Sequence, residues 1–341
     1  MIRTTGSSSE PGSTAVAVDA MGADFDPALA VDASLLALQS DPDLTVRAFG
    51  DPDALASAER DLPDALRPRL RVVSVTGFVE MDASPARALR RSRDSSMARA
   101  LTDVAEGGSR AAVSAGNTGA LMALSRTLLG TLPGIERPAL MTAFPVAGGR
   151  AWVLDLGANV GVDAERLHEF AMLGSAAVEV LLGRPARVGL LNIGREPSKG
   201  PDVVREAARR LEQQAGLDFC GFVEGHDVFA GRADVVVCDG FAGNVLLKSA
   251  EGAIGMLLEE LADDARRPLR GLGLRRSLAA LAERFDPGRH NGASLLGING
   301  IVVKSHAHAD TAGLARAIEL AALEARRDLV PALERHLWSD A

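Results

Sequence analysis

The sequence is poor in lysine, asparagine and tyrosine. Only three of its 37 basic side chains are lysine, and tyrosine is absent. Because these three amino acids share AT-rich codons, we interpret the shortage as mutational bias. A lysine or asparagine that persists then marks a position where arginine or aspartate does not serve. The lysines are Lys199, Lys248 and Lys304, and the six asparagines, each within two residues of a glycine, are Asn117, Asn159, Asn192, Asn244, Asn291 and Asn299.

Other features in short supply exclude whole classes of protein. Two cysteines, Cys220 and Cys238, are too few for a disulfide framework or a zinc ribbon and predict free buried thiols. No apolar run approaches about 18 residues, so no membrane span is predicted. The opening stretch has no apolar core of a signal peptide, and a disordered tail is expected over residues 1–13. A net charge of −8 disfavours a nucleic-acid partner.

Short apolar, β-branched runs alternate with helical patterns along the rest of the chain. This alternation predicts an α/β fold with a mainly parallel sheet and helices on both faces, in a single domain over residues 14–338. The predicted strands are Thr14–Asp19, Leu44–Phe49, Leu70–Val75, Ala111–Ser114, Ala151–Asp155, Arg187–Asn192, Phe219–Val223, Asp234–Cys238 and Ile301–Val303. The predicted helices include Asn117–Leu129, Ala164–Leu182, Pro201–Ala215, Asn244–Ala262 and Ala312–Leu329.

Polar residues and glycines follow five of these strands directly. Ligands of parallel sheets bind outside the carboxyl ends of the strands, and glycine lets the backbone approach them. A helix that starts there also aims free N–H groups at an anion. One such loop would only make a turn and cap a helix, but five predict a site. The loops are Asp19–Asp24, Ser114–Gly119, Asp155–Asn159, Asn192–Gly194 and Asp239–Asn244.

Familiar catalytic signatures are missing from these loops. The stretch Gly194–Gly200 places Lys199 where a P-loop needs its second glycine, so neither ATP nor NAD binding has direct support. No Gly-x-Ser-x-Gly elbow occurs. His306, His308 and Asp310 would have to form a metal site without a further ligand, so no metal or cofactor is predicted. Lysine is a compact point charge suited to phosphate, and its position favours Lys199 and Lys304 as phosphate ligands.

Two segments are strongly basic. Residues 265–285 carry six arginines against one acid, with apolar residues at helical spacing. Such a helix would lie on an anionic membrane surface through Arg266–Phe285, or form a hairpin packed on the body or on a second subunit. Residues 84–99 carry five arginines and one acid, which suits an acidic partner or a solvated helix face. Both alternatives remain open for each segment.

The strand-end motifs, taken together, resemble the bacterial phosphate acyltransferase family of phospholipid synthesis. They run in order over nearly the whole chain. The matching stretches are Val18–Gly22, Ala88–Met97, Ser114–Met122, Leu132–Ala139, Leu154–Val160, Gly189–Gly194, Ala233–Asn244, Leu295–Gly300 and Lys304–His306. The chain departs from the family pattern at Ala23, at Phe25–Pro27 in place of His-Gly-Pro, and at Ala307 and His308.

The resemblance implies a Rossmann-like fold related to isocitrate and isopropylmalate dehydrogenases, in a homodimer. It implies that an acyl-carrier-protein thioester and inorganic phosphate give acyl phosphate, which a membrane glycerol-3-phosphate acyltransferase then consumes. It also implies a cytoplasmic enzyme at the inner face of the cell membrane, which favours membrane contact by a helical protrusion at about residues 262–290. The rival hypotheses are a metal- and NAD-dependent dehydrogenase of related fold and a membrane-associated scaffold without activity.

Phosphate is a nucleophile and a thiolate leaves readily, so this reaction needs positioning and oxyanion stabilisation rather than a covalent nucleophile. We therefore expect Lys304, His306 and Asn244 to be catalytic, with His306 as proton or oxyanion donor. The expected substrate-binding residues are Asp19, Gly22, Ser95, Ser96, Ser114, Gly116, Asn117, Thr118, Gly119, Asp155, Gly157, Asn159, Asn192, Gly194, Lys199, Asp239, Gly240 and Gly243.

Overall fold

The structure, a computed structural model, describes residues 13–22, 26–60, 62–265, 285 and 290–338. The predicted tail, apart from Ser13, and most of the basic segment, residues 266–284, lie outside the described residues. Internal contacts divide the chain into two compact units. The first takes in the described residues up to Leu129 and Gly300–Arg326, and the second takes in Gly130–Asn299 and the described residues from Arg327. The single-domain boundary stays a prediction.

Five parallel strands form the sheet of the first unit, in the order β3-β2-β1-β4-β11. β1 and β4 are buried at every residue, which fits central strands covered on both faces. The parallel direction brings all carboxyl ends to one edge. The strands are β1 (Thr14–Asp19), β2 (Leu44–Gly50), β3 (Leu70–Ser74), β4 (Ala111–Ser114) and β11 (Ile301–Lys304).

Helices pack against this sheet, and local sequence sets where they start. Asp26 caps the first helix by accepting from the Ala28 N–H at 2.9 Å, and Pro27 follows at a position that needs no N–H. α1 and α10 pack together, as do α4 and α5. The helices are α1 (Pro27–Ser40), α2 (Pro52–Arg60), α3 (Pro85–Arg91), α4 (Ser96–Ala105), α5 (Thr118–Leu128) and α10 (Thr311–Arg326), with a 3₁₀ turn at Arg67–Arg69.

The second unit has a mixed sheet in the order β10-β5-β6-β9-β7-β8. β6, β9, β7 and β8 are parallel, whereas β5 pairs antiparallel with both β6 and β10. A tight turn at Ala147 and Gly148, with Gly148 at φ 84°, joins β5 to β6. The strands are β5 (Ala139–Val146), β6 (Gly149–Leu154), β7 (Val188–Leu191), β8 (Phe219–Val223), β9 (Val235–Val237) and β10 (Ala293–Leu296).

The long helix α6 is the core helix of the second unit. It packs on β6, β7, β9 and β10, and Phe170 and Leu173 on it are fully buried. Gly183, at φ 69°, ends the helix in the left-handed conformation that favours glycine. The helices of this unit are α6 (Ala164–Leu182), α7 (Asp202–Glu212), α8 (Gly225–Phe229), α9 (Gly240–Ala265) and α11 (Leu329–Trp338).

The predicted fold class is confirmed: the chain forms mostly parallel mixed sheets with helices on both faces. All nine predicted strands occur, and Thr14–Asp19, Ala111–Ser114 and Phe219–Val223 have the predicted bounds. β5 and β10 escaped prediction, and they are the antiparallel strands of the second unit. Within the described part of the chain, every helix is too short or too polar to cross a bilayer.

Candidate functional site

In the first unit, three neighbouring strands end in register. Ser114 at the end of β4 pairs with Asp19 of β1 on one side and with Lys304 of β11 on the other. All three residues are buried, with 1% of Asp19, 3% of Ser114 and 9% of Lys304 exposed. A carboxylate, a hydroxyl and an ammonium group therefore lie side by side at the carboxyl edge of the sheet.

The Asp19 carboxylate is held by two serine hydroxyls. Ser96 Oγ donates to Oδ1 at 2.6 Å, and Ser114 Oγ donates to Oδ2 at 2.6 Å. The Met21 N–H adds a longer contact to Oδ1 at 3.4 Å. Burial raises the pKa of Asp19 above its ordinary value, while both hydroxyls and the charge of Lys304 act in the opposite direction.

Lys304 is a buried cation rather than an exposed side chain. Its Nζ donates to the Ala115 carbonyl at 3.0 Å and to the Ser305 carbonyl. Burial lowers the pKa of Lys304 to about 8, and the charge of Asp19 acts against that fall. An ammonium group has three protons, so one remains for a ligand. These two carbonyl partners are backbone groups, which no side-chain pattern in the sequence could have revealed.

Two glycines are required around Asp19, because a side chain at either position would collide with neighbouring atoms. A Cβ on Gly22 would lie 2.1 Å from Asp19 Oδ2, and a Cβ on Gly116 would lie 2.5 Å from the Gly22 carbonyl oxygen. The Gly116 N–H donates to Ser114 Oγ at 3.1 Å, so this amide belongs to the network around Asp19. Gly22 and Gly116 thus build the site without contacting a ligand through a side chain.

The loop after β4 leads into the N-terminus of α5. Asn117 caps the helix by accepting from the Ala120 N–H at 2.8 Å, and its Nδ2 donates to the Met81 and Ala83 carbonyls at 2.6 and 3.1 Å. The N–H groups of Thr118 and Gly119, in the first turn, have no partner inside the helix. Helix N-termini of this kind suit an anion, and this one follows β4, whose end is paired with Lys304.

Other predicted residues of the first unit have local roles. Ser95 caps α4 by accepting from the Ala98 N–H at 3.2 Å and donates to the Ser92 carbonyl at 2.7 Å. His306 is exposed just beyond β11, and its Nδ1 accepts from the His308 N–H at 3.2 Å. The third residue of the rejected metal cluster, Asp310, caps α10 by accepting from the Gly313 N–H at 2.7 Å.

In the second unit, Asp155 follows β6 and is completely buried. It accepts from the Leu140 N–H at 2.8 Å, from the Asn159 N–H, and from Asn159 Nδ2 at 3.1 Å. Asn159 Nδ2 also donates to the Pro138 carbonyl at 2.8 Å. Burial raises the pKa of Asp155, against these hydrogen bonds. Asp155 and Asn159 therefore organise backbone.

Asp239 likewise accepts hydrogen bonds from the backbone, at the start of α9. Its carboxylate accepts from the N–H groups of Phe241 at 2.8 Å and Gly161 at 2.7 Å. A Cβ on Gly240 or Gly243 would collide with backbone, the second at 2.0 Å from the Asp155 carbonyl oxygen. Exposed Asn244 lies beside Gly157, which has a φ of 95°, and a Cβ on that glycine would lie 3.5 Å from Asn244 Cβ. Asn244 is thus the exposed amide of this loop.

The loop after β7 is folded around Asn192. Its Nδ2 donates to the Lys199 carbonyl at 3.1 Å, and its buried Oδ1 lies against Gly200 with no partner among the described residues. Gly194 packs against the stem of Lys199, whose side chain is exposed. Arg195, a residue of this loop that no sequence motif singled out, braces it with a two-nitrogen ion pair to Asp227 on α8.

The carboxylates available for a metal are engaged by the protein itself. Within the described residues, one acidic and histidine group has its ligand atoms within 4.8 Å, namely Glu224, His226 and Asp227. Asp227 faces the Arg195 guanidinium, which lowers its pKa, and accepts from the Glu224 N–H at 3.0 Å. Asp234 pairs with Arg184 at 2.8 Å. A metal-dependent dehydrogenase would have to displace these partners.

The two thiols differ from each other. Cys238 is buried as expected, and its Sγ lies 3.6 Å from the Asp155 carbonyl oxygen. Cys220 is exposed, so the prediction of burial is wrong for it, because β8 is the last strand of the sheet. Burial and neighbouring carboxylates raise the pKa of Cys238, which keeps it a thiol at neutral pH.

Comparisons with known proteins match nearly the whole chain. The family model described as "Fatty acid synthesis protein" matches residues 14–331. A phosphate acyltransferase of Stutzerimonas stutzeri (strain A1501) is 47% identical over 326 residues, covering 94% of this chain and 92% of that protein. A phosphotransacetylase structure from Streptococcus pyogenes has a TM-score of 0.64 at 16% identity, covering 93% and 95%. The EutD phosphotransacetylase from Staphylococcus aureus has a TM-score of 0.59 at 17% identity, covering 92% and 94%. At these identities the two structures show the fold alone.

Proposed function

The chain belongs to the phosphate acyltransferase family, and we propose that it transfers a fatty acyl group from an acyl-carrier-protein thioester to inorganic phosphate. The resemblance seen in the strand-end motifs is confirmed at the level of the family, and the chain is an acyltransferase. The thioester donor, the site residues and the partners are parts of the proposal.

One observation carries the proposal: the first unit pairs a buried lysine with an open helix N-terminus. Lys304 donates to Ala115, three residues before Thr118, so its ammonium group belongs to the loop that feeds α5. Phosphate bound there would accept from the Thr118 and Gly119 N–H groups and from the remaining proton of Lys304. The lysine charge and the helix N–H groups together can balance the negative charge of phosphate without a metal.

The chemistry needs only placement and charge stabilisation. A phosphate oxygen attacks the thioester carbonyl carbon, the carbonyl oxygen gains negative charge, and the C–S bond then breaks. The products are acyl phosphate and the carrier-protein thiolate, which takes a proton. Exposed His306, directly beyond Lys304 and Ser305, is our proton donor to that sulfur. A protein thiol is not required, in keeping with the buried thiol of Cys238.

The second unit contributes fewer free side chains. The carboxylates of Asp155 and Asp239 accept from backbone N–H groups, and Asn159 Nδ2 donates to Asp155 and to the Pro138 carbonyl. We propose that these three residues shape loops rather than contact substrate. Asn244 and Lys199 are exposed, and their substrate contacts stay predictions from the sequence. Gly157, Gly194, Gly240 and Gly243 give these loops their shape.

We further propose a homodimer that works at the membrane. α9 leaves Val245, Met256 and Leu257 about half exposed, which suits a partner surface. Membrane contact through Arg266–Phe285 rests on sequence, since residues 266–284 lie outside the described residues. Acyl phosphate would pass to a membrane glycerol-3-phosphate acyltransferase. Light scattering would measure the mass, and sedimentation with anionic vesicles would measure the membrane contact.

A direct assay tests the reaction. The purified protein is incubated with a long-chain acyl-carrier-protein thioester and inorganic phosphate, and acyl phosphate is trapped with hydroxylamine as the hydroxamate. We expect hydroxamate in proportion to phosphate and free carrier thiol in equal amount. Carrier thiol released without a phosphate requirement would instead indicate a thioesterase, and no release at all would contradict the proposal.

A further inference from the structure

Asp19 is buried too deeply to act as a substrate ligand. Both carboxylate oxygens accept a hydroxyl at 2.6 Å, and the side chain is 1% exposed. Gly22 lies so close that a Cβ there would be 2.1 Å from Oδ2. Within the described residues, both oxygens of this carboxylate are thus taken by protein hydroxyls, although its neighbours form the proposed site.

We infer that Asp19 is a positioning residue, which fixes the Lys304 ammonium group and the loop before α5 in the arrangement that binds phosphate. The inference rests on the proposed function for its catalytic consequence. Its structural part, a fixed electrostatic link between Asp19 and Lys304, can be measured without any acyl substrate.

The strand register supplies the first step of the argument. Asp19 and Lys304 flank Ser114 on the two neighbours of β4 and end at the same level. Both are buried, and a buried charge is tolerated where an opposite charge lies near it. The partners of Lys304 Nζ within the described residues are the Ala115 and Ser305 carbonyls, and the charge of Asp19 opposes the fall in the pKa of Lys304 that burial causes.

The hydroxyl of Ser114 supplies the second step. It donates to Asp19 and accepts from the Gly116 N–H at 3.1 Å, so the carboxylate dictates which way this hydroxyl points. Gly116 lies two residues before Thr118, where α5 begins. Asp19 thus acts on both halves of the anion site, through charge on Lys304 and through Ser114 on the loop.

The elements around Lys304 carry other charged groups, among them the buried Glu324 of α10. β11 packs against β4, α5 and α10 within its unit, and β1 is the next strand beyond β4. Among the titratable groups of these elements and of the loop with His306, His308 and Asp310, Asp19 is the one whose charge acts on Lys304, and Lys304 is the one that acts on Asp19.

The scarcity of lysine makes a direct test practical. Protein labelled with ¹³C at the lysine Cε gives three signals, assigned with Lys199→Arg and Lys248→Arg, and each is titrated by NMR. We expect Lys304 to titrate near pH 8 in the wild type and about one pH unit lower in Asp19→Asn, the scale of a lost opposite charge. An unchanged Lys304 titration in folded Asp19→Asn would overturn the inference.

A matched control and a milder variant keep the test decisive. Asp103 is also buried, accepts from Ser109 at 2.6 Å and pairs with Arg47 at 2.9 Å, but lies near the far end of α4. Asp103→Asn should leave the Lys304 titration in place. If Asp19→Asn fails to fold, Ser96→Ala removes one donor from Asp19 and should lower the Lys304 titration by a smaller amount. No change in Ser96→Ala would then contradict the inference.

Activity gives the functional readout. In Asp19→Asn, the fall of kcat/KM for phosphate at alkaline pH should begin about one pH unit lower than in the wild type, while Asp103→Asn keeps the wild-type profile. An unshifted profile in an active Asp19→Asn variant contradicts the positioning role. If the wild type makes no acyl phosphate, the proposed function fails, and the NMR titration still decides the Asp19–Lys304 link.

Discussion

The two units place a buried aspartate at the same point, after a sheet strand, and surround it differently. Asp19 accepts from two serine hydroxyls beside a lysine, whereas Asp155 accepts from three N–H groups of Leu140 and Asn159. Burial raises the pKa of both. The first arrangement holds two hydroxyls and places the carboxylate near a buried cation. The second locks backbone in place.

The helices that follow differ in the same way. In α5, the N–H groups of Thr118 and Gly119 have no partner among the described residues, while at the start of α9 Gly240 donates to the Asn159 carbonyl and Phe241 donates to Asp239. Both helices are capped by the residue directly before them, but Asp239 takes the N–H of the second helical residue, whereas Asn117 takes that of the third, Ala120. The first two N–H groups are therefore available in α5 and taken in α9, and we propose that those of α5 bind an anion.

Replacing Lys304 by methionine should give the largest effect on this comparison. Methionine fills similar space without charge, so phosphate would lose one donor in a buried site. We expect turnover to fall about 10²–10³-fold, the typical loss for one such donor. Steady-state kinetics with saturating thioester measure it, and thermal unfolding checks that the variant is folded. Near wild-type turnover would show that Lys304 does not belong to the site. The first unit would then no longer differ from the second by a lysine that binds phosphate.

The charge state of Lys304 should set the alkaline limit of activity. Burial lowers its pKa to about 8, so the ammonium group is present below that pH and is lost as pH rises through it. We expect kcat/KM to fall about tenfold per pH unit well above pH 8. Lys304→Arg, which stays charged, is the control, and whatever activity it retains should lack this limb. A wild-type profile that stays flat to about pH 9.5 would contradict the assignment.

The sequence predicts the positions of the strand-end loops because glycine and asparagine there reflect local backbone needs. The sequence does not predict which side chains of these loops hold the backbone in place. Asp19, Asp155 and Asp239 look alike in the sequence, and only the three-dimensional partners show that two of them hold backbone while the first accepts from serine hydroxyls. The partners come from distant chain segments, such as Ser96 for Asp19 and Leu140 for Asp155, and no local pattern encodes them.

The missed strands have a similar explanation. β5 contains Pro145 and polar Thr142 among apolar residues, so it lacks the continuous β-branched run of the parallel strands. β10 has four residues and begins with Ala293 and Ser294. Long-range antiparallel pairing fixes both strands, since tertiary contacts override weak local preference.

Glycine replacements should show that both units are equally intolerant of side chains at these loops. A Cβ on Gly243 would lie 2.0 Å from the Asp155 carbonyl oxygen, and one on Gly116 would lie 2.5 Å from the Gly22 carbonyl oxygen. We expect Gly243→Ala and Gly116→Ala each to lower the free energy of unfolding by about 1–3 kcal/mol. Denaturant titration measures the change.

Gly252 is the control for these glycine variants. A Cβ there meets nothing within 4 Å on exposed α9, so Gly252→Ala should raise stability by up to about 1 kcal/mol. Full stability of Gly116→Ala together with unchanged turnover would mean that this corner relaxes easily. The tight fit around Asp19 would then no longer distinguish it from an ordinary loop.

The smallest expected effects come from the two exposed lysines of the second unit. Lys199 has no side-chain partner among the described residues, whereas Lys248 pairs with Glu251 at 2.7 Å on α9. Lys199→Ala should raise KM for phosphate up to about tenfold with little change in kcat, because a lost hydrogen bond to a charged ligand is worth about 1.5 kcal/mol. Lys248→Ala should change only stability, by about 0.5 kcal/mol or less, as for other exposed helical ion pairs. Equal KM values for the two variants would contradict a phosphate-binding role of Lys199.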